Sequence, residues 1–199
     1  MADDGQRMDD AAIYRRFFES AAQFLCVIAP DGRILAANAA WTRLLGWRAE
    51  VLAGAAFVSV IHPDDAPAAA QALQRALAGE TAVATVARMR SADGETRWCD
   101  WRWPGADAQG LVHGVGVDVT EARRTAAHAE EIERAGRIGA WEFDMEAGRS
   151  YWSPVLFSLF DRDVAAGAPS PDEGFDYLAE EARPRVRAAL DRLAEVGEG

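Results

Sequence analysis

The sequence predicts an α+β protein built on an antiparallel sheet, and three observations predict it. Two short apolar runs meet at a tight turn near the start, three longer runs of period two meet at turns further on, and short amphipathic helices separate the two groups. The 199 residues, 50% hydrophobic, have room for one or two domains with packed cores.

In residues 9–22, Ile13, Phe17 and Ala21 recur every fourth position, which puts an apolar stripe on a helix whose Arg15, Arg16 and Glu19 lie off it. Such a helix needs a surface to lie on. Residues 24–29 (FLCVIA) end at Pro30-Asp31-Gly32, and residues 33–37 follow, a β-hairpin pattern. Asn38 is placed to cap a helix carrying Trp41, Leu44 and Leu45, which Gly46 ends. The stretch His62-Pro63-Asp64-Asp65 precedes a helix over 66–78, closed by Gly79. There the period changes to two: strands over 81–90, 95–103 and 111–119, joined at 91–94 and 104–110, form a meander. On the middle strand, Cys99, Trp101 and Trp103 share one face, while Trp98, Asp100 and Arg102 share the other. One face packs the core; the other meets a flanking helix or a partner.

Residues 120–138 read as a polar helix with a thin stripe of Ala122, Ala126, Ala129 and Ile132, better suited to a linker or dimer seam than to a core. Then the pattern restarts. Residues 140–145 (AWEFDM), a turn over 146–148 and residues 149–152 repeat the hairpin, Ser153 and Pro154 start a helix through Phe157 and Phe160, and residues 178–190 lie against 61–73 at an offset of 117. The second copy stops where its last three strands would begin, so the chain reads as part of a longer protein, with an incomplete second domain over 139–199.

Composition excludes several functions. A net charge of −11 argues against a nucleic-acid binder. All 21 basic residues are Arg, which removes the phosphate-loop lysine, the kinase ATP lysine and Schiff-base chemistry. Cys26 and Cys99 are spaced neither as a disulfide framework nor as a zinc site, so no metal is expected. Residues 1–10 carry four Asp where a signal peptide needs positive charge, and no run of 18 apolar residues occurs; a cytoplasmic location without membrane contact is expected. The pairs Asp64-Asp65 and Glu180-Glu181 read as helix-start charges, and His128 as a solvated linker residue. No nucleophile, base and orienting group converge, so no catalytic residue is expected.

Over residues 14–121 the sequence resembles the PAS sensor family. The matching features are Asp31-Gly32-Arg33, Asn38 with Leu44-Leu45-Gly46-Trp47, His62-Pro63-Asp64-Asp65, Asp93-Gly94 with Arg97-Trp98, and Gly116-Val117-Asp118-Val119-Thr120-Glu121. Residues 136–160 are similar to the start of the family pattern, while Ala179-Glu180-Glu181 replaces its His-Pro-Asp stretch. The resemblance implies a PAS domain over 23–120 with a five-stranded antiparallel sheet in the order 2-1-5-4-3 and short helices on one face. A helix over 1–22 would precede it, and a helical linker over 121–138, a coiled-coil candidate, would follow. In that order the strand over 140–145 lacks the neighbour a fifth strand would provide. This edge is expected to be paired by another chain, covered by a helix, or poorly ordered.

The resemblance further implies a sensory module of a bacterial signalling protein, upstream of a histidine kinase or diguanylate cyclase, relaying a signal or partner contact through the linker in a homodimer. A ligand-free dimerisation module is the alternative. Candidate pocket residues are Trp41, Leu45, Trp47, Phe57, Cys99 and Trp101; the Ala-rich helices leave space for a ligand, whereas Trp41, Trp47, Phe57 and Trp101 pointing inward would fill it, and the sequence is compatible with either. Asp118, Thr120 and Glu121 are the candidate relay residues, and Ile13, Phe17, Ala126 and Ile132 the candidate seam. A haem needs an axial ligand that the helix over 66–78 lacks as His, and Cys26 and Cys99 sit on strands rather than where the family's flavin photoreceptors carry their reactive thiol. The cofactor stays unassigned, with haem and non-covalent flavin as further alternatives.

Overall fold

A computed structural model describes residues 3–144 and 147–197, in two compact units, Met1–Arg123 and Arg124–Gly199. Met145 and Glu146, in the expected strand and turn of the second unit, lie outside the described residues.

The first unit runs α1 (Asp3–Ser20), β1 (Phe24–Ile28), β2 (Ile34–Ala37), α2 (Ala40–Leu45), α3 (Ala49–Leu52), a 3-10 turn (Phe57–Val60), α4 (Ala66–Leu77), β3 (Val83–Arg90), β4 (Thr96–Trp103) and β5 (Val112–Asp118). The strands form one antiparallel sheet in the order β2-β1-β5-β4-β3, with the short helices packed against its inner face. Burial alternates along β1, β4 and β5, so Phe24, Cys26, Ile28, Cys99, Trp101, Trp103 and Val112 join Ala69, Ala72, Leu73 and Ala76 of α4 in one core. Both sheet edges are covered. Ile34 N donates to Ala55 O and Gly54 N to Ile34 O beside β2, while His62 N donates to Arg88 O and the Asp65 carboxylate accepts from Arg88 N beside β3.

Three local expectations are corrected. The first helix is Asp3–Ser20 rather than 9–22, and Ala21 falls off its stripe. Asn38 does not cap α2 with its side chain; Ala39 takes the N-cap position. Fully buried, the Asn38 amide accepts from Leu25 N (3.0 Å) and donates to Phe18 O (3.0 Å) and Gln23 O (2.9 Å), tying the end of α1 to β1. The bond to Phe18 O takes a carbonyl that a continuing helical turn would use. Strand β3 starts at Val83, not 81, because Ala82 adopts a left-handed φ of 58°. Asn38→Ala strands buried polar groups and is expected to cost about 2 kcal/mol, read as faster exchange of the β1 amides.

Thr120–Gly136 forms α5, two residues shorter than the expected 120–138 because Arg137 turns left-handed at φ 50°. The second unit then has β6 (Trp141–Asp144) and β7 (Arg149–Trp152) as a hairpin, α6 (Pro154–Leu159), α7 (Pro171–Gly174) and α8 (Arg183–Gly197). Ser153 caps α6 by accepting from Leu156 N, and Ser170 forms a reciprocal capping box with Glu173. Among the described residues β6 pairs with β7 alone.

Candidate functional site

Five aromatic rings occupy the space between the sheet and the helices of the first unit. Phe24, Trp41, Phe57, Trp101 and Trp103 are all fully buried. Trp101 and Trp103, two positions apart on β4, stack at 5.1 Å and 11°, and the Phe57 ring stands edge-on to both at 5.0 Å. Trp41 lies 5.6 Å from Trp101 and 5.5 Å from Phe24. These separations are those of rings in contact.

Room for the two stacked indoles comes from β5. A Cβ on Gly114 would sit 2.3 Å from the Trp103 ring and 2.9 Å from Cys26 Sγ, and one on Gly116 would sit 2.9 Å from Trp101. Gly116 is the cross-strand partner of Trp101, so the Gly-x-Gly of β5 is the complement of the Trp-x-Trp of β4. Sequence reasoning passed over Gly114, although alternate glycines beside a strand of alternate tryptophans were a visible signal.

The structure brings together the pocket candidates Trp41, Leu45, Phe57, Cys99 and Trp101 as buried core residues. Trp47 packs against the same core from its rim, half-buried, its indole N–H donating to Arg90 O at 2.7 Å. Trp41 Nε1 donates to Leu25 O, but Trp101 Nε1 and Trp103 Nε1 are buried with no hydrogen-bond partner among the described residues. Unpaired buried donors cost about 1–3 kcal/mol each, which marks this pair as the chemically unsatisfied part of the interior.

Haem and flavin do not fit this interior. The rings fill it, His113 lies on the opposite face paired with Asp107, and His62 precedes α4, where its ring accepts weakly from Asp64 N. Burial pushes the Cys26 and Cys99 thiols well above their ordinary range, so both are protonated and unreactive. Among the described residues no group of three His, Cys, Asp or Glu side chains could hold a metal ion, and no helix is long and apolar enough to cross a membrane.

The exit from the sheet is a pinned joint. Trp98 N donates to Thr120 Oγ1 (2.9 Å), Val119 N to Trp98 O (2.8 Å) and Thr120 N to Asp118 Oδ1 (2.9 Å), while Arg97 pairs with Asp118 at 3.0 Å. Burial pushes the Asp118 carboxyl up, but the Thr120 bonds and Arg97 outweigh it and hold it below the usual range. Thr120 is buried, and Glu121 stands in the exposed first turn of α5. The seam candidates Ile13, Phe17, Ala126 and Ile132 are all exposed in the isolated chain.

Asp65 stands at the start of α4 as expected, in the N-cap position, and does more than place a charge there. Its carboxylate takes the Arg88 guanidinium by a two-pronged contact, both prongs at 2.8 Å, clamping α4 to β3. The Arg88 hydrogen bond outweighs desolvation and lowers the Asp65 pKa from 3.8 to about 2. A depressed carboxyl stabilises the fold fully above its ordinary pKa and loses that stabilisation as pH falls through the folded value. Acid titration is therefore expected to weaken the clamp between about pH 4 and 2, with a flatter response in Asp65→Asn, checked by circular dichroism.

In the second unit, Trp152 packs on Phe157, Phe160 and Tyr177 at 4.9–5.6 Å. Trp141, Phe143, Trp152, Phe175, Tyr177 and Val186 line an apolar cavity of about 100 Å³. Its walls come from β6, β7, α8 and the 3-10 turn after α7, elements far apart in the chain, so no single run of sequence marks it.

A family model described as PAS fold matches residues 18–124. The chain is similar to a domain of a sensory box sensor histidine kinase/response regulator from Geobacter sulfurreducens, with 19% identity over 55% of this chain and 94% of that one, TM-score 0.49. It is also similar to the PAS domain of an HTR-like protein from Haloarcula marismortui (16% identity, 59% of this chain and 99% of that one, TM-score 0.50). A PAS domain from Colwellia psychrerythraea matches at 17% identity over 56% of this chain and 98% of that one, TM-score 0.50. The likeness to these last two is one of fold. A comparison with curated proteins finds no match.

Proposed function

The chain belongs to the PAS-fold family through residues 18–124, and on that premise we propose that it is the sensory and relay module of a bacterial signal-transduction protein. It works in the cytoplasm as a homodimer, and passes a change in the sheet of the first unit along α5 to an output domain of a longer parent, such as a histidine kinase or diguanylate cyclase. Residues 139–199 are the beginning of a second domain of the same kind, since hairpin, capped short helix and long helix follow in the order of β1 to α4. No catalytic step is assigned to any of these residues.

The observation that carries this reading is the joint at Trp98, Asp118 and Thr120. It fastens two central strands to the first turn of α5 through backbone groups, so that a shift in the sheet must move the helix. The exposed stripes support the dimer. A helix such as α1, with Ile13, Tyr14 and Phe17 all more than half exposed, is marginal alone and gains from a partner. Sedimentation analysis is expected to find a dimer that the double variant Ile13→Asp, Phe17→Asp converts to a monomer. A wild-type chain that sediments as a monomer contradicts the reading.

A second reading has its own support: the input is a colourless small molecule carrying hydrogen-bond acceptors, for which the packed rings open beside Trp101 and Trp103. The two unpartnered indole N–H groups favour it over a purely structural core. Native mass spectrometry of freshly purified protein tests it. A bound molecule absent from Trp101→Phe supports it, and an empty wild-type protein supports the ligand-free relay.

A further inference from the structure

Two guanidinium groups lie over one indole on the outer face of the sheet. Arg88 on β3 is the cross-strand partner of Trp98 and sits 5.4 Å from its ring, and Arg123, in the first turns of α5, sits 4.3 Å from the same ring. A ring attracts one cation readily, but two like charges on it repel each other. On the Arg88 side this repulsion is offset by the Asp65 fork and by Asp64 Oδ2 at 3.2 Å. Those carboxylates stand at the start of α4, the helix whose Ala69, Ala72, Leu73 and Ala76 pack on the inner face.

We propose that Arg88 is a positioning residue whose charge couples the start of α4 to the first turn of α5 through Trp98. With the Asp65 fork closed, Arg88 is neutralised and Arg123 holds the ring. When α4 moves and the fork opens, Arg88 carries its charge uncompensated and drives Arg123 off, loosening the joint one turn beyond Thr120. The idea rests on the reading of α5 as the output helix and gives that relay a second arrangement.

This coupling has an asymmetric signature. Removing the carboxylate exposes the Arg88 charge, whereas removing the Arg88 charge relieves the ring. Hydrogen exchange at the amide of residue 123, which donates to Val119 O at 2.9 Å, reads the joint. Asp65→Asn is expected to speed it about threefold beyond any change at the β1 amides. Arg88→Met is expected to leave it as slow as in the wild type or slower. Should Asp65→Asn unfold the unit, Asp64→Asn, whose carboxylate is exposed, gives the same sign at smaller size. Equal acceleration by both kinds of variant makes Arg88 an ordinary structural clamp and overturns the proposal, as does no acceleration in either. The measurement needs neither a ligand nor a dimer, so its failure leaves the sensory reading standing, and a monomer in sedimentation leaves the coupling standing.

Discussion

Gly114→Ala is expected to destabilise the first unit by about 3 kcal/mol, an unusual cost for one methyl group on a strand where β-propensity favours the change. The added carbon would sit 2.3 Å from the Trp103 ring and 2.9 Å from Cys26 Sγ. Trp103 has nowhere to retreat, because Trp101 stacks on one side of it and Phe57 stands against it. Strand β5 is central, flanked by β1 and β4, so it has little freedom to bow outward. Exchange of the β1 and β5 amides measures the loss for this unit separately from the second. The double variant Gly114→Ala, Trp103→Leu makes room for the methyl and is expected to cost less than the two single changes added together. Strict additivity would mean that the glycine serves backbone conformation rather than the tryptophan.

The second large effect is expected at Trp101, which touches Phe24, Trp41, Phe57 and Trp103 at once. Trp101→Ala opens a cavity at the centre of the cluster and is expected to cost about 4 kcal/mol. Trp101→Phe separates packing from polarity. It keeps a ring and deletes a buried donor that has no partner, so its cost is expected to stay below about 1 kcal/mol. Trp41→Phe removes an indole whose N–H is bonded to Leu25 O and is expected to cost about 1–2 kcal/mol. A Trp101→Phe variant that loses as much as Trp41→Phe would show that the Trp101 N–H is satisfied in solution, by water or by a bound molecule.

The fold was largely legible because period-two alternation is strong on β4, where Cys99, Trp101 and Trp103 separate from Trp98 and Arg102 without ambiguity. The hairpin turn at 30–32 and the caps at Gly46 and Ser153 were legible for the same local reasons. What escaped the sequence was tertiary. Asn38 has the chemistry of a cap, but its buried amide lies just past the end of β2, beside backbone groups at the start of β1, and bridges Leu25, Phe18 and Gln23 instead. Asp65 likewise looks like a helix-start charge until β3 brings Arg88 within reach. Trp47 could not be told from Trp41 by composition; its place at the rim follows from the left-handed Gly46 before it.

In the proposed dimer, the joint at Thr120 sets the register in which the first unit holds α5. The most direct test is the distance between spin labels on His128→Cys in the homodimer, in the wild-type background and with Thr120→Val. Cys26 and Cys99 are buried and protonated and need not be replaced. The account predicts a narrow distance distribution for paired α5 helices, their axes about 8–10 Å apart, that shifts or broadens when the Thr120 hydroxyl is lost. No dipolar signal, or a distribution unchanged by Thr120→Val, would contradict it.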